Sequence, residues 1–398
     1  MSLQHCIHNP TPQRNHCGPD FLSLTATEPV RRLHRSVPAY AETPLVSLSA
    51  LAAHLGVKGI YVKDESHRFG LNAFKGLGGI YVLACTVCDK LGLDIATTSF
   101  SDLQKEEYRA AIAHTVFATT TDGNHGKGVA WAAGLLGCQA KVFMPKGSSP
   151  LRAQAIREAG LAEVTITDMN YDDTVRYVMT LSEQNGWTLL QDTSWEGYEE
   201  PPRRIVQGYT TMAHEALAQI PEPPTHVFLQ AGVGAMAGSV TGFLANVYGT
   251  DRPRISIVEP DEVACIYASA ACGAPHAAEG TGETIMAGLN CGEPCTVTWP
   301  ILRDYADDYF CCPDCVAAHG MRLLASPKGG DSAIVSGESG AATMGALSVL
   351  LEREEYSPLR RKMGLDENAV ILLFSTEGDT DPEAYRRIVS DGVFPLQD

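Results

Sequence analysis

A lysine stands in apolar surroundings in the segment 72–79, whose sequence is NAFKGLGG. Phe74 comes directly before Lys75, and the apolar run 80–85 follows shortly after. Burial against such groups favours the neutral amine of a lysine over the charged ammonium. A neutral amine is a nucleophile that can bond covalently to a carbonyl compound. Lys75 is therefore a candidate for covalent chemistry, although a lysine in this position also fits the exposed surface of a helix.

A second candidate is the glycine-rich segment AGVGAMAGSV, which follows the apolar run THVFLQ. Gly232, Gly234 and Gly238 allow backbone N–H groups to turn toward one point, and the dipole of the next helix also favours an anion there. Dinucleotide binding is the alternative, but it requires this loop in the first strand–helix unit and an acidic residue about 20 positions later. Here the loop lies past the middle of the chain, and only Glu259 is a loose match. We therefore expect the loop to bind a single phosphate group.

A nucleophilic lysine and a phosphate site together fit one cofactor, pyridoxal phosphate. This cofactor is held in proteins by its phosphate and by a covalent bond to a lysine amine. Neither feature is specific by itself, and the prediction depends on both occurring in one chain.

Strand-like and helix-like segments must position these residues, and they alternate from about Gly59 onward. Runs of β-branched and aromatic residues predict strands at 59–65, 114–120, 140–145, 162–167, 187–192, 225–230, 254–260 and 369–379. Amphipathic segments between several of them predict helices. The pattern predicts an α/β fold in which mostly parallel sheets are flanked by helices. Ligands of such sheets bind at the carboxyl ends of the strands, where the unusual loops of this chain occur.

Length and charge exclude several classes of function. A chain of 398 residues is long enough for two packed lobes. The 30 Lys and Arg against 47 Asp and Glu give a net charge of −17, which argues against nucleic acid or an anionic membrane as partner. No apolar run approaches the roughly 20 residues of a membrane span, and the first residues lack a secretory signal. We expect a cytoplasmic enzyme with a small-molecule substrate.

The 12 cysteines show no regular spacing, so buried thiols in a reducing compartment are expected. Two clusters contain potential zinc ligands, but neither has a convincing four-ligand spacing, and no metal is predicted. A disulfide between Cys265 and Cys291 stays open. The two clusters are Cys6, His8, His16 and Cys17, and Cys311, Cys312 and Cys315.

Three motifs in a fixed order resemble those of a known enzyme family. The segments KDES and NAFKG, then TDGNHG at 121–126, then GVGAMAG at 232–238, are similar to the lysine, substrate and phosphate segments of the tryptophan synthase β family. These are pyridoxal-phosphate enzymes of fold type II, and the resemblance extends from about Thr43 to Thr380. It implies a two-lobed homodimer, with a large cofactor-binding lobe of 1–84 and 188–398 and a small lobe of 85–187.

Four segments narrow the resemblance to the diaminopropionate ammonia-lyases of that family: TTDGNHG, QDTSWEGYEE, MAGLNCGEP and FSTEGDT. This implies elimination of ammonia from L- and D-2,3-diaminopropionate, giving pyruvate and two ammonia molecules. The substrate carries a cationic β-amine, and Asp122 and Asp192 suit it because charge-assisted hydrogen bonds are about twice as strong as neutral ones. Both aspartates also fit turns or helix caps. The alternatives are a serine or threonine dehydratase of the same fold, a nicotinamide-dependent oxidoreductase and an inactive amino-acid sensor.

The resemblance also implies a role for each residue of the site. Lys75 would hold the cofactor and remove the Cα proton of the L isomer, and Asp122 would act as the base for the D isomer. Asp192 is a further catalytic and substrate-binding candidate, and the role of Glu338 stays open. The other expected cofactor contacts are Phe74 beside the ring, Asn124 at the phenolic oxygen, the backbone of Gly232, Val233, Gly234, Ala235 and Met236 at the phosphate, and Ser375 before Thr376 at the pyridine nitrogen. The substrate loop comprises Thr121, Asp122, Gly123 and His125, of which His125 is expected to be structural.

Overall fold

The computed structural model describes residues 3, 5–14, 17–121, 123–280 and 282–396. The chain divides into two compact units, which we name after their sheets. The seven-stranded unit comprises Met1–Leu24, Glu42–His67 and Met212–Asp398, and the four-stranded unit comprises Thr25–Ala41 and Arg68–Thr211.

The described residues form strands and α-helices with the following bounds. The strands are β1 (His5–His8), β2 (Leu45–Ser47), β3 (Gly59–Asp64), β4 (Val116–Thr120), β5 (Gln139–Met144), β6 (Ala162–Ile166), β7 (Thr188–Leu189), β8 (His226–Gln230), β9 (Arg254–Pro260), β10 (Asp308–Cys312) and β11 (Val370–Ser375). The helices are α1 (Leu24–Ser36), α2 (Ser49–Leu55), α3 (Gly76–Leu91), α4 (Phe100–Leu103), α5 (Glu106–Ala113), α6 (Asn124–Leu136), α7 (Pro150–Ala159), α8 (Tyr171–Asn185), α9 (Glu200–Gln219), α10 (Ala235–Tyr248), α11 (Cys265–Cys272), α12 (Trp299–Tyr305), α13 (Asp314–Ala325), α14 (Glu338–Glu352), α15 (Ser357–Met363) and α16 (Pro382–Val389).

The seven-stranded sheet has the order β1-β10-β9-β8-β11-β3-β2. Its five inner strands are parallel, and β1 and β2 pair antiparallel at the two edges. Strands β8, β10 and β11 are buried along their whole length, as expected for a sheet covered on both faces. Because β8, β11 and β3 are neighbours, their carboxyl ends bring Gln230, Ser375 and Asp64 to one edge of the sheet.

The four-stranded sheet is parallel throughout and has the order β6-β5-β4-β7. A small core of Ala118, Phe143 and Val178 packs against it. Strands β4 and β7 are adjacent, so the loops that begin at Thr121 and Leu190 leave the same edge of this sheet. That edge carries the candidate substrate residues.

Main-chain contacts locate α3, the helix that begins directly after Lys75. A Cβ atom added at Gly128 of α6 would lie 3.0 Å from the carbonyl carbon and oxygen of Lys75. A Cβ atom added at Gly208 of α9 would lie 2.7 Å from the Cα atom of Gly78. Both helices therefore approach α3 closely because their contact residues have no side chain.

The predicted α/β fold with mostly parallel sheets is confirmed. The sequence does not predict β1, β2 or β10, because β1 is polar, β2 has only three residues and β10 contains the cysteine pair taken as a possible metal cluster. The segment that begins at Asn72 is helix-like in sequence, but its helix begins only at Gly76, since Asn72 has a left-handed backbone with φ of 59°. The segment 95–115, whose role the sequence leaves open, contains α4 and α5.

The division into units differs from the lobe boundaries that the resemblance implies. Residues 68–84 and 188–211 belong to the four-stranded unit, which is larger than the expected small lobe of 85–187. The close packing of α3 on α6 and α9 accounts for this difference. The boundaries of 1–84 with 188–398, and of 85–187, stay a prediction.

All twelve cysteines fall within the described residues and are free thiols, so Cys265 and Cys291 are not paired. Seven of the twelve are buried. In the part of the chain that the structure describes, none of the helices has the length and apolar composition of a membrane span.

The first cysteine cluster is only partly assembled. His16 lies outside the described residues, while Cys6 and His8 lie close to Asp308. The Asp308 carboxylate accepts hydrogen bonds from Arg254 at 2.7 and 2.8 Å, and this positive charge opposes a metal ion. In the second cluster, Cys311 and Cys312 lie in β10 and Cys315 lies in α13. We propose no metal site in either place.

Candidate active site

Lys75 directly precedes α3, in the N-cap position, in the four-stranded unit, and its side chain does not cap the helix. Its Nζ atom lies 2.7 Å from Oδ2 of Asp192 and donates a hydrogen bond to it. The two side chains are only 20% and 16% exposed, so solvent screens the pair weakly. The sequence predicts an apolar environment for this lysine but not its carboxylate partner. An ion pair stabilises the ammonium form of Lys75, so this amine must lose a proton before it can act as a nucleophile.

Asp192 lies three residues beyond the end of β7. Burial acts to raise the pKa of its carboxyl group, but nearby His125 and Lys75 outweigh this effect and hold the pKa well below its usual range. Asp192 is therefore anionic at neutral pH. A partly buried anion of this kind suits an ammonium group, whether that of Lys75 or that of a ligand.

His125 completes a group that we call the lysine cluster, which comprises Lys75, His125 and Asp192. Its Nε2 atom lies 3.0 Å from the carbonyl oxygen of Leu190 and must donate, since a carbonyl only accepts. Its Nδ1 atom lies 3.9 Å from Oδ2 of Asp192 and has no hydrogen-bond partner among the described residues. Burial lowers the pKa of His125, although Asp192 opposes that shift. The ring therefore supports the main chain two residues before Asp192. Whether His125 is only structural stays a prediction.

The loop TDGNHG is held by the buried Thr121. Its Oγ1 atom accepts hydrogen bonds from the N–H groups of Gly123 at 3.0 Å and Gly126 at 3.1 Å. A Cβ atom at Gly126 would lie 2.3 Å from Cγ2 of Thr121, so glycine is required there. Asn124 is the first residue of α6. Asp122 lies outside the described residues, and its expected role is neither supported nor opposed by the structure.

Phe74 is buried directly before Lys75. Its ring packs on the ring of Tyr209 with a centroid distance of 4.7 Å. This contact packs the residue before Lys75 against α9. The sequence predicts Phe74 beside the cofactor ring, and that contact stays a prediction.

The glycine loop, residues 231–236 of the seven-stranded unit, has the geometry of an anion site. Gly234 has φ of 88° at the N-terminus of α10, and no side chain caps this helix. Within the described residues, no acceptor binds the N–H groups of Gly232, Val233, Gly234, Ala235 and Met236. The carbonyl of Val233 accepts from Cys295 N at 2.8 Å. A Cβ atom at Gly232 would lie 3.1 Å from Leu289 Cα. Unpaired N–H groups at a helix start fit a phosphate.

Two hydroxyl groups lie at the carboxyl end of β11 in the same unit, with Ser375 as its last residue and Thr376 directly after it. Their hydrogen bonds differ. Ser375 Oγ donates to Ser336 Oγ at 2.8 Å. Thr376 Oγ1 instead accepts from Gln230 Nε2 at 2.9 Å. The hydroxyl hydrogen of Thr376 is therefore available to a further acceptor, while that of Ser375 is used within the protein. The sequence ranks Ser375 before Thr376 at the pyridine nitrogen, and that order stays a prediction.

Several polar residues near the carboxyl ends of β8 and β11 were not predicted as site residues. Gln230 is buried and its Oε1 atom has no partner among the described residues. Glu377 Oε1 accepts from Ser339 N at 3.2 Å, and Ser339 Oγ accepts from Gly288 N at 3.0 Å. These bonds tie together the segments MAGLN, SGESG and STEGD. Only their position in the sequence could have identified these residues, since each lies beside a residue of a recognised motif.

The residues therefore assemble in two places. Lys75, Phe74, Thr121, Gly123, Asn124, His125 and Asp192 belong to the four-stranded unit, and the backbone of 232–236 with Ser375 and Thr376 belongs to the seven-stranded unit. A lysine that can bond to an aldehyde, a set of unpaired N–H groups and a free hydroxyl are the donors that pyridoxal phosphate requires. The residues present fit this cofactor.

Comparisons with known proteins agree with these observations. Residues 37–363 match the family model described as pyridoxal-phosphate dependent enzyme. The chain is 51% identical over 375 residues to diaminopropionate ammonia-lyase of Escherichia coli K12, covering 94% of this chain and 93% of that protein.

Two solved structures of the Escherichia coli enzyme are similar to this chain, each with a TM-score of 0.91 and 47% identity. One, in complex with an aminoacrylate-PLP azomethine reaction intermediate, covers 99% of this chain and 98% of that chain. The other, in complex with D-serine, covers 98% of this chain and 97% of that chain. The family predicted from the ordered motifs is confirmed: the chain belongs to the pyridoxal-phosphate dependent enzymes, in the diaminopropionate ammonia-lyase family.

Proposed function

We propose that this chain uses pyridoxal phosphate to eliminate ammonia from 2,3-diaminopropionate. The Cα–H bond and the bond from Cβ to the amine break, and the electron pair of the latter leaves with ammonia. Water then replaces the remaining amino group, so the products are pyruvate and two ammonia molecules. The observation that carries the proposal is the contact of Asp192 with Lys75 beside the TDGNHG loop, in a chain of this family.

Lys75 would hold the cofactor covalently until the amine of the substrate takes its place. When bound, pyridoxal phosphate withdraws electrons from the Cα atom of an attached amino acid and so acidifies its proton. The amine of Lys75, no longer bonded to the cofactor, would be the base that removes that proton from the L isomer. Asp122, on the loop of Thr121 and Gly123, would be the base for the D isomer, whose proton points to the opposite face.

Asp192 would bind the β-ammonium of the substrate in place of the Lys75 ammonium. Once Lys75 is bonded to the cofactor, this carboxylate loses its ion-pair partner and is free to accept another cation. An amine leaves more readily as neutral ammonia when it starts as an ammonium, so a carboxylate that keeps it protonated favours the reaction. Serine and threonine have no such cation, which is why Asp192 argues against a dehydratase.

The backbone of the glycine loop would hold the cofactor phosphate. At the pyridine nitrogen we propose Thr376 before Ser375, because only the Thr376 hydroxyl has its hydrogen available. Asn124 would donate to the phenolic oxygen, Phe74 would flank the ring, and Gly123 and His125 would shape the substrate loop. A neutral hydroxyl at the pyridine nitrogen leaves that nitrogen largely unprotonated, which favours prompt elimination over transamination.

Assembly and compartment are further parts of the proposal. The resemblance supports a homodimer, which light scattering during size-exclusion chromatography would test. Twelve free thiols fit a reducing compartment, so we place the enzyme in the cytoplasm.

Steady-state kinetics test the proposed reaction. We expect the holoenzyme to show a higher kcat/KM for L-2,3-diaminopropionate than for L-serine or L-threonine. Asp192→Asn should reduce kcat/KM for diaminopropionate by roughly 100-fold, since a charged hydrogen bond of about 1.5–3 kcal/mol is lost. A higher kcat/KM for serine would overturn the proposal in favour of the dehydratase.

A further inference from the structure

The strand that leads to Asp192 lies at an open edge of its sheet. Strand β7 contains two paired residues, and among the strands that the structure describes it pairs with β4 alone. Leu190 N donates to Ala118 O of β4 at 2.8 Å. Because the backbone groups of successive residues alternate in direction along a strand, those of Leu189 and Gln191 face away from β4. An edge of this kind leaves donors and acceptors unpaired unless another group binds them.

One side chain binds two of these outward groups. The hydroxyl of Tyr198 donates to the carbonyl oxygen of Leu189 at 2.9 Å and accepts from the N–H group of Gln191 at 2.9 Å. This single phenol therefore occupies the place of a neighbouring strand. The residue between them is bound from the other direction, since Leu190 O accepts from His125 Nε2.

A tight turn delivers the Tyr198 hydroxyl to this position. Tyr198 N donates to Trp195 O at 2.9 Å, and Gly197 within the turn has φ of 87°. The rings of Trp195 and Tyr198 stack with a centroid distance of 4.4 Å and an interplanar angle of 18°. The segment WEGY thus forms a hydrogen-bonded turn with stacked rings, and this turn places the Tyr198 hydroxyl beside β7.

We propose that Tyr198 is a positioning residue that sets the specificity for a substrate with a β-ammonium group. It holds the main chain of Leu189–Gln191, and Asp192 is the next residue. The carboxylate can bind a cation of fixed position only if its backbone is fixed. This inference rests on the proposed function, because it assigns the cation to the substrate.

Tyr198→Phe tests the proposal, since it keeps the ring stack on Trp195 and removes both hydrogen bonds. We expect kcat/KM for 2,3-diaminopropionate to fall by roughly tenfold. Binding of D-serine to the holoenzyme, followed by the visible absorbance of the cofactor, should change less than twofold because D-serine has no β-ammonium. Tyr177→Phe on α8 is the matched control and should leave both ligands unaffected, since this tyrosine is 43% exposed.

Two further variants separate positioning from a general loss of structure. Gly197→Ala has space for the new methyl group but strains the turn, so it should repeat the effect of Tyr198→Phe by a different route. In an Asp192→Asn background, Tyr198→Phe should have little additional effect, since residues that act through each other are not additive.

The outcomes are distinct. Equal losses for diaminopropionate and D-serine, or additive effects in the double variant, would overturn the role of Tyr198. Unchanged kinetics of Tyr198→Phe, with a wild-type enzyme that turns over diaminopropionate, would also overturn it. A wild-type enzyme without that activity would instead refute the proposed function.

Discussion

Gly128→Ala tests whether main-chain packing determines the position of Lys75. The added Cβ atom would lie 3.0 Å from both the carbonyl carbon and oxygen of Lys75, and 3.1 Å from Gly76 N. Ordinary contacts of carbon atoms are about 3.5–4.0 Å, so the backbone at Lys75 must move by roughly 0.5 Å. All three neighbouring atoms belong to the main chain, and no side chain can rotate to make room.

The expected loss of stability is small, because two effects oppose each other. Overpacking costs about 1–3 kcal/mol, while alanine in a helix is about 1 kcal/mol more favourable than glycine. The net destabilisation is therefore about 0–2 kcal/mol. A displacement of about 1 Å can reduce a rate about 100-fold, so a shift of half that size should weaken cofactor attachment by roughly tenfold.

Gly134→Ala provides a control in the same helix α6. Its Cβ atom would lie 2.9 Å from Gly160 Cα, an equally tight main-chain contact that does not involve Lys75. Thermal unfolding of the apoprotein of each variant is followed by circular dichroism. A separate sample of folded apoprotein is titrated with pyridoxal phosphate, and attachment is followed by visible absorbance. Melting temperatures should fall by similar amounts, and only Gly128→Ala should bind the cofactor more weakly. Equal cofactor affinity in the two variants would refute the reasoning.

Two other predictions concern the seven-stranded unit. In the holoenzyme, Thr376→Val should reduce kcat by roughly tenfold or more and Ser375→Ala should reduce it by less, because only the Thr376 hydroxyl has a hydrogen that is not donated within the protein. A larger loss of kcat with Ser375→Ala would reverse the assignment. Glu259 is buried and accepts from Ile266 N at 2.8 Å and Tyr267 N at 2.6 Å, and burial raises its pKa to about 8. A pKa raised by folding contributes stability that is complete below the unfolded value near 4.5 and is lost as pH rises toward 8. Thermal melts between pH 5 and pH 8 should therefore show that the free energy of unfolding of the wild type falls by on the order of a few kcal/mol relative to that of Glu259→Gln. A difference between the two proteins that stays constant over this range would mean that Glu259 is ionised in the folded protein.

The fold was largely predictable, because the residues within each of several inner strands are sufficient to indicate a buried strand. Strands β8 and β11 have apolar interiors and are followed by segments rich in glycine or hydroxyl residues. This pattern predicts parallel strands with loops at their carboxyl ends. The antiparallel edges β1 and β2 have no such signal. Their pairing depends on partners distant in the chain, with Ile7 opposite Tyr309 and Val46 opposite Val62.

The candidate site was predictable in its residue types and less so in its contacts. The motifs identify Lys75, Asp192 and the glycine loop as candidates because they occur together in a fixed order along the chain. The ion pair of Lys75 with Asp192 joins residues 117 positions apart, and no local pattern encodes such a distance. Tyr198 was overlooked for another reason, since a phenol that replaces a missing strand is visible only once the edge of the sheet is known.

The covalent partner of the cofactor is the most direct test of the whole account. Holoenzyme is reduced with borohydride, digested and mapped by mass spectrometry, with Lys75→Ala treated in parallel. We expect the pyridoxyl label on the peptide that contains Lys75 and no label in the variant. A label on another lysine, such as Lys127 of the same unit, or no label in protein that shows bound cofactor by absorbance, would contradict the account.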